Sequence, residues 1–138
     1  MPLPGEHETI ADDEVLYRRV PVSTGWVKSV DEVLPEAFQP RRDDTTGLSV
    51  FRAKFRKLDE TARGASKHGY YVLELRAGDL RAAGIEIVPK PDDDAPGHAE
   101  IPSLAFGEPE TNDSLKHRQL LAEQLICAVH GPFPPAKH

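Results

Sequence analysis

A single cysteine, Cys127, leaves this chain of 138 residues without an intramolecular disulfide or a cysteine zinc motif. No apolar run approaches the ~20 residues that a membrane-spanning helix requires. Positive charge is also short. Lys and Arg number 17 against 23 Asp and Glu, for a net charge of -6. Binding to nucleic acid or an anionic membrane by counterion release needs a basic surface, so neither is expected as a general activity. The one basic run, Arg52 to Lys57, reads as a solvated strand end. Neither G-x-G-x-x-G nor G-x-x-x-x-G-K-[ST] occurs, which removes the standard dinucleotide and phosphate loops. No G-x-S-x-G elbow surrounds a serine. The opening residues, MPLPGEHETIADDE, are acidic and lack an apolar core, which predicts no signal peptide and a cytoplasmic location.

The rest of the composition is that of a folded chain. Charged residues make up 29%, yet the apolar share of 38% is too high for disorder throughout. The length suits one domain, read here as residues 12–131, with flexible tails at 1–11 and 132–138. Prolines number 13, mostly in connections and at the ends, which predicts a high loop content.

Period-two alternation marks several short strands. In residues 13–20, DEVLYRRV, Leu16, Arg18 and Val20 share one face, and Val15, Tyr17 and Arg19 the other. Residues 48–53, 70–75, 85–88 and 98–101 are further strands, with YYVLEL the most apolar. Ser29 is read as the cap of a short helix over residues 30–34, ended by Pro35. Residues 58–68 and 77–83 read as helices closed by Gly69 and Gly84. Residues 114–129 form the longest predicted helix, capped by Asn112, Asp113 or Ser114. Its stripe of Leu121, Leu125, Ile126 and Val129 is directed at the sheet, against Leu73 or Leu75. The sum predicts an α+β fold: a small mixed or mostly antiparallel sheet of about five short strands with a C-terminal helix packed on one face.

Few side chains stand out for chemistry. Arg18 and Arg19 are sent to opposite faces, and an arginine on a covered face needs a carboxylate or phosphate partner. Glu74 and Glu100 are the internal acids available to Arg18. His98 and Glu100 share one face of a strand. A carboxylate beside an imidazole suits acid–base catalysis, and the pair could also ligate metal with His117 or His130. The structural alternative is an exposed polar face on an edge strand. His98 and Glu100 are carried forward as catalytic candidates, and no metal site is predicted. Cys127, beside the apolar stripe, is expected to be packed.

Two resemblances emerge from these segments. LYRR, GLSV, YYVLELRAGDLRAAGIEIVPKP and GHAEI, spanning residues 14–104, resemble small uncharacterised bacterial proteins with an LxRR…LSV…HAxI pattern. That implies bacterial origin and carries no activity. The order of Arg18, Ser49 and Glu100 is similar to the Arg–Ser–Glu layout of ADP-ribosyltransferase-like folds, although no S-T-S triplet is present. That resemblance implies NAD as a substrate held by Arg18 and Ser49. Glu100 would stabilise the positive charge developing on the ribose. The leading expectation is a small cytoplasmic bacterial accessory or protein-interaction domain, without cofactor or catalysis of its own. It would dock a protein partner through Leu115, Phe133 and the proline-rich end. An NAD-binding or NAD-consuming enzyme is the alternative.

Overall fold

Alternation in LYRRV makes the first strand, β1 (Val15–Pro21), whose Leu16, Arg18 and Val20 are buried while Val15, Tyr17 and Arg19 are half-exposed. The computed structural model describes residues 9–63, 67–91, 97–107 and 111–135. After β1 come a hairpin of β2 (Val27–Ser29) and β3 (Glu32–Val33), then β4 (Leu48–Arg52) and one helical turn, α1 (Leu58–Thr61). β5 (Tyr70–Arg76) runs straight into α2 (Ala77–Ala82), followed by β6 (Val88–Pro89) and β7 (His98–Ile101). The chain closes with α3 (Asn112–Leu120) and β8 (Ala128–Phe133).

Six strands form one sheet in the order β6-β7-β4-β1-β5-β8, and every described pair is antiparallel. The α+β fold with a mostly antiparallel sheet is therefore as expected. Register places Leu16 opposite Leu75, Arg18 opposite Leu73, and Leu48 opposite Ile101. The apolar side chains among these belong to the main core. Ile10, Phe38, Leu80, Ile85, Leu104 and Leu121 complete it, all essentially inaccessible. The opposite face carries a smaller buried group, Phe51, Tyr70 and Val72. The segment after β4 lies over it: Arg56 stacks 4.3 Å above the Phe51 ring, and Thr61 and Ala62 are buried. β5 is covered on both faces, which is why its sequence is almost continuously apolar.

Several expectations need correction. No helix forms over residues 30–34. The Asp31 N–H donates to Ser29 Oγ at 3.2 Å, so the serine closes the turn of the β2–β3 hairpin. Pro35 opens a 3₁₀ turn, Pro35–Phe38, rather than ending a helix, and its turn buries Ala37 and Phe38. The helix expected over residues 58–68 is four residues long, and part of that stretch lies outside the described residues. Of residues 85–88, Ile85 and Ile87 are buried, but only Val88 reaches the ladder.

The largest departure is at the C-terminal end. α3 is capped by Thr111: Ser114 N–H donates to Thr111 Oγ1 at 3.0 Å, and Thr111 N–H donates to Ser114 Oγ at 2.9 Å. A π-helical turn over Leu121–Leu125 then buries Leu121 and Ala122, and the chain extends at Ile126. Val129 ends opposite Leu73 on β8, not on a helix, while Leu125 and Ile126 are half-buried against the core. Pro132 cannot lie inside a helix, β-branched Ile126 and Val129 suit a strand, and the outer edge of β5 needs backbone partners. An edge strand tolerates that proline. The expected tails shorten accordingly. Ile10 is fully buried, and Pro132 and Phe133 belong to β8. Gly69 permits that docking, since a Cβ there would collide with the Phe133 carbonyl oxygen. The remainder of both tails, residues 1–8 and 136–138, and residues 92–96 of the acidic loop, lie outside the described residues.

Candidate functional site

β1 and β4 are paired only at Leu16–Arg52 and Tyr17–Phe51. Beyond Tyr17 the backbone ladder stops, and a side chain replaces it. Arg18 Nη1 donates to the carbonyl of Ser49 at 3.0 Å, and Arg18 Nε donates to the carbonyl of Ala37 at 3.2 Å. Arg18 is only 6% exposed. Among the described residues it makes no ion pair, and neither Glu74 nor Glu100 meets it as the sequence suggested. Burial pushes the guanidinium down to about 10. Asp44 opposes that shift, and Arg41 and Arg19 add to it. The group is thus a cation at neutral pH, buried in the fold with only neutral carbonyls as direct partners.

Its remaining nitrogen, Nη2, donates to no described group. Since no buried side-chain nitrogen or oxygen among the described residues lacks a partner, Nη2 is reached from outside. The opening is a hollow of about 180 Å³ lined by Arg18, Arg19, Arg41, Asp43, Asp44, Ser49 and Phe51. Arg19, on the other face of β1, donates to the Arg63 carbonyl and lies 4.6 Å from the Tyr70 ring. Burial pushes its guanidinium down as well.

Asp44 organises the loop beside the hollow. Its carboxylate accepts from Arg41 N–H at 2.7 Å, Ser49 N–H at 3.2 Å and Ser49 Oγ at 2.9 Å. Asp44 is 4% exposed, and its carbonyl accepts from Phe106 N–H. Gly47 lets this loop lie against β7, because a Cβ there would come within 2.9 Å of Ile101 O. Neither Asp44 nor Arg41 stood out in the sequence, where PRRDDTTG read as a polar loop. The available signal is the aspartate itself, a residue whose carboxylate closes turns onto nearby backbone N–H groups. Arg41 contributes only its backbone to the turn.

His98 and Glu100 do share a face, opposite Phe51 and Ser49 respectively. They have separate partners. His98 Nδ1 lies 2.9 Å from the Lys90 carbonyl and Nε2 lies 3.0 Å from Ser49 Oγ. Glu100, 6% exposed, accepts from Thr46 Oγ1 at 2.6 Å. Of the three residues in the Arg–Ser–Glu layout, Arg18 and Ser49 meet at the hollow. Glu100 stands on the same rung as Ser49 and does not line the hollow.

The order of the polar chain is Asp44, Ser49, His98. In a hydrolytic triad the imidazole stands between acid and serine, so that the acid orients the base. Here Asp44 bonds the serine, and a carbonyl holds the imidazole. The chemistry this arrangement suits is recognition: charge-assisted, planar donors facing a hollow that admits an oxyanion.

The remaining candidates lie elsewhere. His117 lies 2.8 Å from Ser103 Oγ, and His130 lies 3.0 Å from Glu74. Cys127 is exposed rather than packed, and desolvation together with Asp79 pushes its thiol up. Among the described residues no group of three His, Cys, Asp or Glu side chains could hold a metal ion, and no helix is long and apolar enough to cross a membrane. Comparison with protein-family models, with curated proteins and with solved structures finds no match to this chain.

Proposed function

We propose that this protein is a bacterial, cytoplasmic interaction domain without catalysis of its own, and that its protein partner presents an anionic side chain to the Arg18 hollow. The observation that carries the reading is Arg18, a residue 6% exposed whose guanidinium makes no ion pair among the described residues. A buried charge is strongly disfavoured without a counter-charge, and an incoming carboxylate or phosphoryl group would supply it bidentately. The chain as a whole is acidic, so the attraction is local to this hollow. A titration with sulfate, followed by amide chemical shifts, tests the site. Shifts gathered around Arg18, Arg41 and Ser49, and lost in Arg18→Met, are expected. Sulfate that leaves those amides unmoved overturns the reading.

A second reading is favoured by the meeting of Arg18 and Ser49 at the same hollow. In it the anion is a phosphate of NAD, and the protein is an NAD-binding or NAD-consuming enzyme. Nicotinamide release from NAD by the purified protein, abolished by Glu100→Gln, would establish that reading and remove the first.

A further inference from the structure

The hydrogen bonds behind the hollow contain one proton too few for a neutral His98. A carbonyl only accepts, so the 2.9 Å contact to the Lys90 oxygen places a proton on His98 Nδ1. Asp44 Oδ1, a carboxylate oxygen already facing the Ser49 N–H, also accepts. Ser49 Oγ stands between it and His98 Nε2, at 2.9 Å and 3.0 Å. A hydroxyl has one hydrogen. With a neutral imidazole that hydrogen serves either Asp44 or Nε2, and one of the two short contacts is left without a proton. With an imidazolium, Nε2–H donates to Oγ, the hydroxyl donates to Asp44, and every contact is satisfied.

We propose that anion binding in the Arg18 hollow is coupled to proton uptake by His98, with the Ser49 hydroxyl as the connecting switch. The proposal rests on the reading of the hollow as an anion site and names its regulation. Three arginines and two aspartates line the hollow, an excess of one positive charge. When His98 is neutral, the hydroxyl turns to Nε2 and Asp44 Oδ1 loses a donor, so its negative charge opposes an entering anion. When His98 is protonated, the hydroxyl turns back to Asp44 and a second positive charge stands behind Ser49. The entering anion and the proton therefore favour each other, and the coupling is reciprocal.

The other groups around the ring are identifiable. Glu100 shares its face on β7 and is bonded to Thr46. From β4 the Phe51 ring lies 5.9 Å away, with Arg56 stacked on it. Lys90, just after β6 on the other side, contributes its carbonyl. Across Ser49 stand Asp43, Asp44 and Arg41 from the loop, and Arg18 and Arg19 from β1. Imidazole is the side-chain type that changes charge between about pH 5 and 8.

Sulfate is the probe, because its charge is constant over that range. Its affinity for the wild-type protein is expected to tighten about fivefold or more between roughly pH 8 and pH 5.5, the lower end of ordinary coupling between sites. In His98→Gln the affinity is expected to be nearly independent of pH. Binding heats of the wild-type protein in two buffers of different ionisation enthalpy give a second measurement that needs no variant, and net proton uptake near neutral pH is expected. Sulfate binding that needs Arg18 but shows neither pH dependence nor proton uptake overturns the coupling and leaves the anion site standing. A pH dependence that persists in His98→Gln likewise overturns it. No sulfate binding at any pH overturns the anion site itself.

Discussion

The sheet buries two arginines on its core side, Arg18 on β1 and Arg52 on β4, and the fold treats them differently. Arg52 is fully buried, and its Nε and Nη2 each donate to the Glu14 carboxylate at 2.9 Å. Arg18 is nearly as buried and bonds two carbonyls, with no ion pair among the described residues and a hollow in front of it. A buried cation whose counter-charge belongs to the same chain is a closed structural unit. One whose direct partners are all neutral keeps its electrostatic demand for something from outside. The contrast separates an arginine that holds the fold from one that the fold holds in place.

The sharpest way to break the comparison is Arg52→Met. It strands the Glu14 carboxylate and is expected to cost about 3–5 kcal/mol in urea melts while leaving sulfate binding unchanged in sign and order of magnitude. Arg18→Met should behave in reverse. Two carbonyls lose a donor, but a desolvated charge is removed as well, so the net loss is expected to stay under about 2 kcal/mol while sulfate binding disappears. If Arg18→Met is the more damaging of the two to stability, the roles have been assigned wrongly.

The pH profile sharpens the same contrast. Burial pushes Glu14 up, but the bonds from Arg52 and from Ala11 N–H, with the charges of Arg52 and Lys54, outweigh it and hold the carboxyl below its usual value of 4.5. A folded-state value below the unfolded one means that the unfolded chain binds more protons. The contribution is therefore present in full above pH 4.5 and fades as pH falls through the folded-state value. Urea midpoints of the wild-type protein should drop across that acid range. Those of Arg52→Met should drop less, and an equal drop would remove Glu14 from the account. The smallest effect is expected at Lys54, 3.9 Å from the same carboxylate but about half-exposed. Lys54→Ala should cost no more than about 1 kcal/mol, and less in high salt.

Much of the strand content was legible because period-two patterns are local. The segments around Arg18, Ser49, Glu74 and His98 all became strands where alternation placed them, and His98 and Glu100 do face the same way. Residues 126–133 were misread because Leu125, Ile126 and Val129 fit a helical stripe as well as a strand. The unpaired edge of β5, far away in sequence, settled the matter. Asp44 was missed for a related reason. A loop aspartate shows its value only when Ser49, Arg41 and Phe106 are brought around it.

Chain chemistry alone was sufficient to send Arg18 and Arg19 to opposite faces, to exclude a disulfide, and to make β5 the most apolar strand, since each follows from residue type and backbone period. That β5 lies one strand from the edge of the sheet rather than at its centre did not follow. The partner of each arginine did not follow. It depends on strand order: β4 lies between β1 and β7, and this sets Ser49 between Arg18 and His98. Glu14, just before β1, reaches Arg52 instead. Those distances span dozens of residues along the chain, and the cost of leaving a polar group buried without a bond is what selects one pairing from the many that the sequence would allow.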